Sequence, residues 1–100
     1  HARYKNAIYF NDMLFGDMIQ AIKEKGLYDD ALIIYTSDHG EEFYEHGFFG
    51  HNTSFSLAQT NSPLVIKLPK QLQNSLKLQS NFSKMLTSHH DIVPTILNLI

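Results

Sequence analysis

Cysteine is absent from the 100-residue sequence, and no apolar run is long enough to cross a membrane. Thiolate catalysis, cysteine-ligated zinc and disulfide bonds are therefore excluded, although cysteine-free proteins occur in reducing and oxidising compartments alike. The sequence also lacks a large excess of either charge, because eight basic and ten acidic residues give a net charge of −2. This balance offers no electrostatic basis for binding nucleic acid or an anionic membrane surface.

The composition, with 43% hydrophobic and 18% charged residues, is that of a single globular unit or a part of one. The chain starts without Met at His1 and stops at Ile100 inside an apolar helical pattern. We therefore expect it to be cut from a longer protein. A chain of this length buries a smaller share of its surface than a full domain, so we expect modest stability on its own.

The order of the helix and strand patterns predicts an α/β unit. Residues 4–25 have the apolar spacing of an amphipathic helix, and Gly26 is suited to end it. The strand predicted over 31–36 is apolar on both faces, which is typical of a strand with parallel neighbours. The apolar positions of the helix are Ile8, Phe15, Met18, Ile19 and Ile22.

Weaker patterns complete the expected architecture. A short strand is predicted over 63–68, a surface excursion over 69–83, a brief third strand over 84–87, and a helix with Asp91 as its N-cap. The segment 38–62 is long for a plain connection, and its aromatic residues argue against disorder. We therefore expect this segment to carry function.

Candidate metal ligands follow the central strand directly. Asp38 and His39 come at its carboxyl end, where open α/β sheets place their chemistry. An isolated Asp-His pair is more often a turn cap beside a solvated histidine. Here Gly40 permits a sharp turn and His51 can fold back to the same point, which favours a metal site. Carboxylate and imidazole together suit a divalent cation in the Zn, Mn or Mg range.

The other ionisable residues of this region have more ordinary interpretations. Packing or hydrogen bonding is favoured for His46, and His89 and His90 are expected to be satisfied loop histidines. His89 could nevertheless line the same crevice as Asp38. Three carboxylates are assigned to solvent or to orienting the imidazoles: Glu41, Glu42 and Glu45.

Four segments, in this order, look like the C-terminal half of a sulfatase-type domain of the alkaline phosphatase superfamily. They are SDHGE at 37–41, EHGFFGH at 45–51, PLVI at 63–66 and DIVPT at 91–95. The resemblance covers nearly the whole of residues 1–100. It implies a fragment of an alkaline-phosphatase-like three-layer α/β fold with a mostly parallel sheet. The nucleophile would then lie upstream, in an N-terminal half absent from this chain.

The resemblance also assigns roles to individual residues. Asp38 and His39 would be ligands of a divalent metal ion, whether Zn, Mn, Mg or Ca. His51 would be the catalytic residue that contacts the transferred group, or would hold a second metal, and His89 would bind substrate. Many sulfatases carry Lys where His51 stands, whereas phospho-transferases carry His. The resemblance therefore leaves sulfate and phosphate esters open as substrates.

The function implied is that of a metal-dependent hydrolase or transferase of sulfate or phosphate esters, some of them lipid-linked. The stretches 50–52, 59–60 and 88–91 resemble membrane-anchored envelope proteins of bacteria. That implies a place at the periplasmic face of the inner membrane, through spans outside this chain. The alternative is an inactive sulfatase-like domain that binds lipid head groups or a protein partner. A free-standing metal-binding domain is a weaker third hypothesis.

Overall fold

A computed structural model describes residues 2–76 and 82–99. The described residues combine helices with short strands, and two single turns of 3-10 helix, Phe82–Lys84 and His89–Asp91, precede the last helix. The helices are α1 Ala2–Glu24, α2 Leu57–Thr60, α3 Lys70–Ser75 and α4 Ile92–Leu99. The strands are β1 Ile33–Thr36, β2 Glu42–Phe43, β3 Phe49–Gly50 and β4 Leu64–Lys67.

The first helix confirms the prediction from sequence, including its end at glycine. Gly26 adopts a left-handed φ of +69°. Its N–H donates to the carbonyl of Lys23 at 2.9 Å, and the N–H of Leu27 donates to that of Ile22 at 3.1 Å. These two bonds form a Schellman motif, which satisfies carbonyls that the helix end would otherwise leave unpaired. The chain can therefore turn sharply into β1.

The central strand pairs with β4, and the pair is antiparallel, with Ile33 opposite Lys67 and Thr36 opposite Leu64. The expectation that the neighbours of the 31–36 strand run parallel is therefore wrong for β4. A parallel return needs a crossover, usually a helix, that carries the chain back to the start of the sheet. The connection 37–63 stays at the carboxyl end of β1 and enters β4 from that end. Within the described residues both two-stranded sheets are antiparallel.

Two smaller predictions near the C-terminal end are also corrected. The brief strand expected over 84–87 is wrong: this stretch leaves a 3-10 turn without pairing, and Leu86 is fully exposed. The helix near residue 91 is confirmed, but Ser88 is the N-cap of the preceding turn. Asp91 instead accepts the Ser88 N–H at 2.7 Å, which completes a capping box. The expected excursion over 69–83 includes helix α3, and residues 77–81 lie outside the described part.

Apolar packing is thin within the described residues. No apolar side chain there is fully buried, and the two buried residues are polar, Glu42 and Gln59. Helix α1 contacts the strands through aromatic pairs, with ring centroids 4.7 Å apart for Phe15–Tyr35 and 4.8 Å apart for Tyr4–Phe43. Among the described helices, none has the length and hydropathy that a membrane span requires. The most buried side chains among the described residues therefore lie in the polar segment after β1.

Candidate metal and substrate site

Asp38 and His39 leave β1 side by side. The His39 N–H donates to Asp38 Oδ1 at 3.0 Å, and Ser37 Oγ donates to the His39 carbonyl at 2.8 Å. That backbone hydrogen bond, together with the nearby His39 ring, lowers the pKa of Asp38, so its carboxyl group is ionised at neutral pH. The Asp38 side chain is 85% exposed, so a ligand can reach it from solvent.

The His39 ring is oriented by the backbone. Its Nδ1 lies 2.9 Å from the Gly40 carbonyl oxygen. Because a carbonyl only accepts, Nδ1 carries the proton and Nε2 keeps a free lone pair. Nε2 lies 3.5 Å from Asp38 Oδ2. Two ligand atoms bound at about 2.1 Å to a tetrahedral ion are about 3.4 Å apart. The Asp38 and His39 atoms therefore already have the spacing of two ligands of one ion.

His51 returns to this point through a two-stranded turn. Strands β2 and β3 place Glu42 opposite Gly50, and Gly50 has a φ of +88° that glycine adopts without strain. The next residue, His51, stacks its ring on His39 with centroids 4.3 Å apart. The loop therefore brings His51 to the His39 ring, as the sequence suggested.

Glu41 joins the two histidines and orients the His51 imidazole, which is one of the two roles that the sequence predicted for it. Its Oε2 accepts from His51 Nδ1 at 3.1 Å. One ligand atom from each of His39, Glu41 and His51 lies within 4.8 Å of the others. Two imidazole nitrogens with a carboxylate oxygen are a donor set that zinc and manganese accept. His39 thus belongs to two donor sets that fit a divalent cation, one with Asp38 and one with Glu41 and His51. The pairing of Glu42 with Gly50 brings Glu41 next to His51, and that register is not readable from composition or spacing.

All four site residues predicted from sequence line one cavity of about 530 Å³: Asp38, His39, His51 and His89. His89 reaches it from the C-terminal part of the chain, where its Nε2 donates to the Ser37 carbonyl at 2.7 Å. His46 and His90 do not line this cavity. Their Nδ1 atoms lie within hydrogen-bonding distance of Glu42 and of Ser88 Oγ, which agrees with the ordinary roles expected for them.

A buried carboxylate, Glu42, holds the wall of the cavity, where the sequence predicted a glutamate that faces solvent or orients an imidazole. Glu42 has no exposed surface and accepts hydrogen bonds from Gln59, Ser56, Ser54 and His46 at 2.7–2.8 Å. Burial by itself raises the pKa of Glu42, but the four hydrogen bonds outweigh burial and lower the pKa to about 2. Glu42 is therefore an ionised acceptor inside the loop.

Comparison with known protein families shows to which family the chain belongs. The Sulfatase family profile matches residues 1–100. The chain belongs to the sulfatase family. That membership implies an alkaline-phosphatase-like α/β fold. The described residues contain both helices and strands, as a part of such a fold would.

Three similar proteins of known name are much longer than this sulfatase-family chain. It is 34% identical over 96% of its length to the multifunctional alkaline phosphatase superfamily protein PehA of Trinickia caryophylli. It is 36% identical over 88% of its length to arylsulfatase K of Bos taurus, and 31% identical over 88% to an endo-4-O-sulfatase of Bacteroides thetaiotaomicron. The chain spans 15–18% of the length of these relatives. No solved structure matches it significantly.

Proposed function

We propose that this chain is the C-terminal part of a sulfatase domain and supplies its metal ligands and a histidine that contacts the substrate. The observation that carries the proposal is the meeting of Asp38, His39, His51 and His89 at one cavity, in a chain that matches the Sulfatase family throughout. The nucleophile would come from the N-terminal part of the same domain. We expect residues 1–100 alone to show no turnover.

The metal would be held by Asp38 and His39, whose Oδ2 and Nε2 atoms lie 3.5 Å apart. When bound, a divalent ion supplies charge neutralisation at the non-bridging oxygens of the ester and activates a nucleophile. The mixed nitrogen and oxygen donors favour Zn or Mn over Mg or Ca. The proton on His39 Nδ1, held by the Gly40 carbonyl, keeps Nε2 available as the ligand atom.

His51 would act on the transferred group. Its Nδ1 donates to Glu41 at 3.1 Å, so the ring is fixed and Nε2 is left for the sulfuryl or phosphoryl oxygens. Once the ring also carries a proton on Nε2, that N–H donates a hydrogen bond, or the proton itself, and stabilises the charge that develops there during transfer. The upstream nucleophile forms a bond to sulfur or phosphorus, the ester oxygen leaves, and water then releases the product. His89, which lines the same cavity, would contact the substrate.

Sulfate esters are the substrates we favour, because two of the relatives are named as sulfatases. Phosphate esters are the second choice, supported by the name of the multifunctional relative. The narrower alternative is a membrane-anchored phospho-transferase of the bacterial envelope with a lipid-linked substrate, which rests on His51 and its neighbours. An inactive domain that binds lipid head groups or a protein would keep the cavity but lack the upstream nucleophile.

The test uses the full-length protein with alanine at Asp38, His39 or His51. Loss of even an orienting partner of a ligand costs about 10–100-fold in metal affinity or activity, so we expect Asp38→Ala and His39→Ala to lose more than that in both. His51→Ala should keep its metal and lose turnover. Asp29→Ala is the matched control, since Asp29 has an exposed ion pair with Lys70 at 3.6 Å. Stoichiometric metal and normal sulfate-ester turnover in both ligand variants would refute the proposal.

A further inference from the structure

Glu42 is a fully buried carboxylate that the proposed reaction does not use. Its Oε2 accepts from Ser54 Oγ, Ser56 Oγ and Gln59 Nε2 at 2.8, 2.8 and 2.7 Å. Its Oε1 accepts from the N–H and the ring of His46 at 3.1 and 2.7 Å. Five donors converge on two oxygens, so the position needs a group that only accepts. A glutamine there would turn an amide N–H₂ toward these donors.

Gln59 extends this network to both histidine-bearing segments. Its side-chain oxygen accepts the N–H groups of Thr53 and Ser54 at 3.1 and 3.3 Å. Its main-chain carbonyl accepts the Gly40 N–H at 2.8 Å. The segment that carries His39 and the segment that follows His51 are thus joined through one residue, and that residue donates to Glu42.

His51 therefore lies in a short span with both ends fixed to Glu42. On one side, Gly50 is paired with Glu42 itself across the β2–β3 ladder. On the other side, Thr53 and Ser54 are tied to Gln59. The two residues between these anchors are His51 and Asn52, and Asn52 has a left-handed φ of +60°. Asparagine adopts the left-handed region more readily than most non-glycine residues, so Asn52 permits the turn and the anchors on either side hold it in place.

We propose that Glu42 is a positioning residue for His51. By gathering the 53–59 segment around its carboxylate, it holds the His51 ring stacked on His39 and donating to Glu41. The inference rests on the proposed function only for its effect on turnover. Its structural consequence, a fixed His51 ring, can be measured whether or not the protein hydrolyses an ester.

The experiment compares Glu42→Gln with wild type in the full-length protein. Misplacing a catalytic group by about 1 Å can cost about 100-fold in rate, so we expect kcat for an aryl sulfate to fall about 10–100-fold. Metal content and KM should change less than about twofold, because the hydrogen bonds of Glu42 go to neither Asp38 nor His39. Glu24→Gln is the matched control, since Glu24 accepts an exposed hydrogen bond from Gln20, and it should keep wild-type kcat.

Nitrogen-15 NMR of labelled histidine provides the readout that does not depend on activity. In wild type, His51 Nδ1 should give the signal of a protonated nitrogen, since it donates to Glu41. In Glu42→Gln this signal should move toward the average of two tautomers. If Glu42→Gln does not fold, Ser56→Ala removes one donor to Glu42 and should lower kcat about two- to fivefold, the value of a hydrogen bond of about 0.5–1 kcal/mol.

Two results would overturn the positioning role. One is a His51 ring signal that is identical in Glu42→Gln and wild type. The other is a loss of kcat that only tracks a loss of metal or of folded protein, which would make Glu42 a stability residue. Absence of turnover in wild type with any sulfate or phosphate ester would refute the proposed function instead, and the NMR comparison would still decide the role of Glu42.

Discussion

Replacing Gly40 with alanine tests how tightly the wall of the cavity is built. A Cβ added at Gly40 would lie 2.1 Å from the carbonyl oxygen of Ala58 and 3.1 Å from its carbonyl carbon. Ordinary van der Waals contact begins at 3.4 Å. The backbone at Gly40 and the backbone at Ala58 must therefore move apart by about 1.3 Å. The atoms in the way are backbone, and no side-chain rotation can relieve the clash.

The magnitude follows from two losses. Overpacking of this kind costs about 1–3 kcal/mol, and separating the segments breaks the hydrogen bond from Gly40 N–H to the Gln59 carbonyl at 2.8 Å, worth about 1 kcal/mol. We therefore expect Gly40→Ala to lower the free energy of unfolding by about 2–4 kcal/mol. The same displacement moves His39 relative to the cavity wall, so kcat should fall about 100-fold.

The assay measures thermal unfolding midpoints and sulfate-ester turnover of the full-length protein, with Gly16→Ala as the matched control. Gly16 lies within α1, and an added Cβ there meets nothing within 4 Å. That substitution should stabilise the helix by about 0.5–1 kcal/mol and leave turnover unchanged. Equal small effects from the two substitutions would refute the argument, because they would show that the Ala58 carbonyl leaves room for a side chain at residue 40.

Two further predictions concern pH and His89. The pKa of Glu42 is lowered from 4.5 to about 2, so its contribution to stability is complete above pH 4.5 and is lost as the pH falls toward 2. The melting-temperature difference between wild type and Glu42→Gln should therefore be constant from about pH 7 to 5.5 and shrink only below about 4.5; shrinkage already near neutral pH would contradict this pKa. For His89→Ala we expect KM for an aryl sulfate to rise about fivefold, the value of one hydrogen bond of about 1 kcal/mol, with unchanged metal content. An unchanged KM would remove His89 from the substrate site.

Local signals in the sequence were sufficient for the elements whose causes are local. Apolar periodicity and Gly26 predicted α1 and its Schellman end, and a short β-type run predicted β1. The return of His51 to Asp38 and His39 could also be predicted, since glycines flank the loop between them. Each of these depends on residues close in sequence.

Features that depend on distant partners could not be predicted. The apolar residues of β1 suggested parallel neighbours, yet β4 runs antiparallel because the loop between them stays at one end of the sheet. Glu42 was expected to face solvent or to orient an imidazole, and its burial was not predicted because nothing in the sequence marks one glutamate among several as buried. Its partners lie up to seventeen residues away, at Gln59. An orienting role was among the expectations for Glu41, but its partner His51 could not be predicted, since the β2–β3 register brings the two together.

The central claim is that Asp38 and His39 bind one divalent cation. Anomalous diffraction at the metal edge, from crystals of the full-length protein, tests this most directly. Our account predicts an ion about 2.0–2.2 Å from an Asp38 carboxylate oxygen and from His39 Nε2, with His51 facing the same cavity. An ion bound by other residues, with Asp38 and His39 both outside its coordination shell, would contradict it.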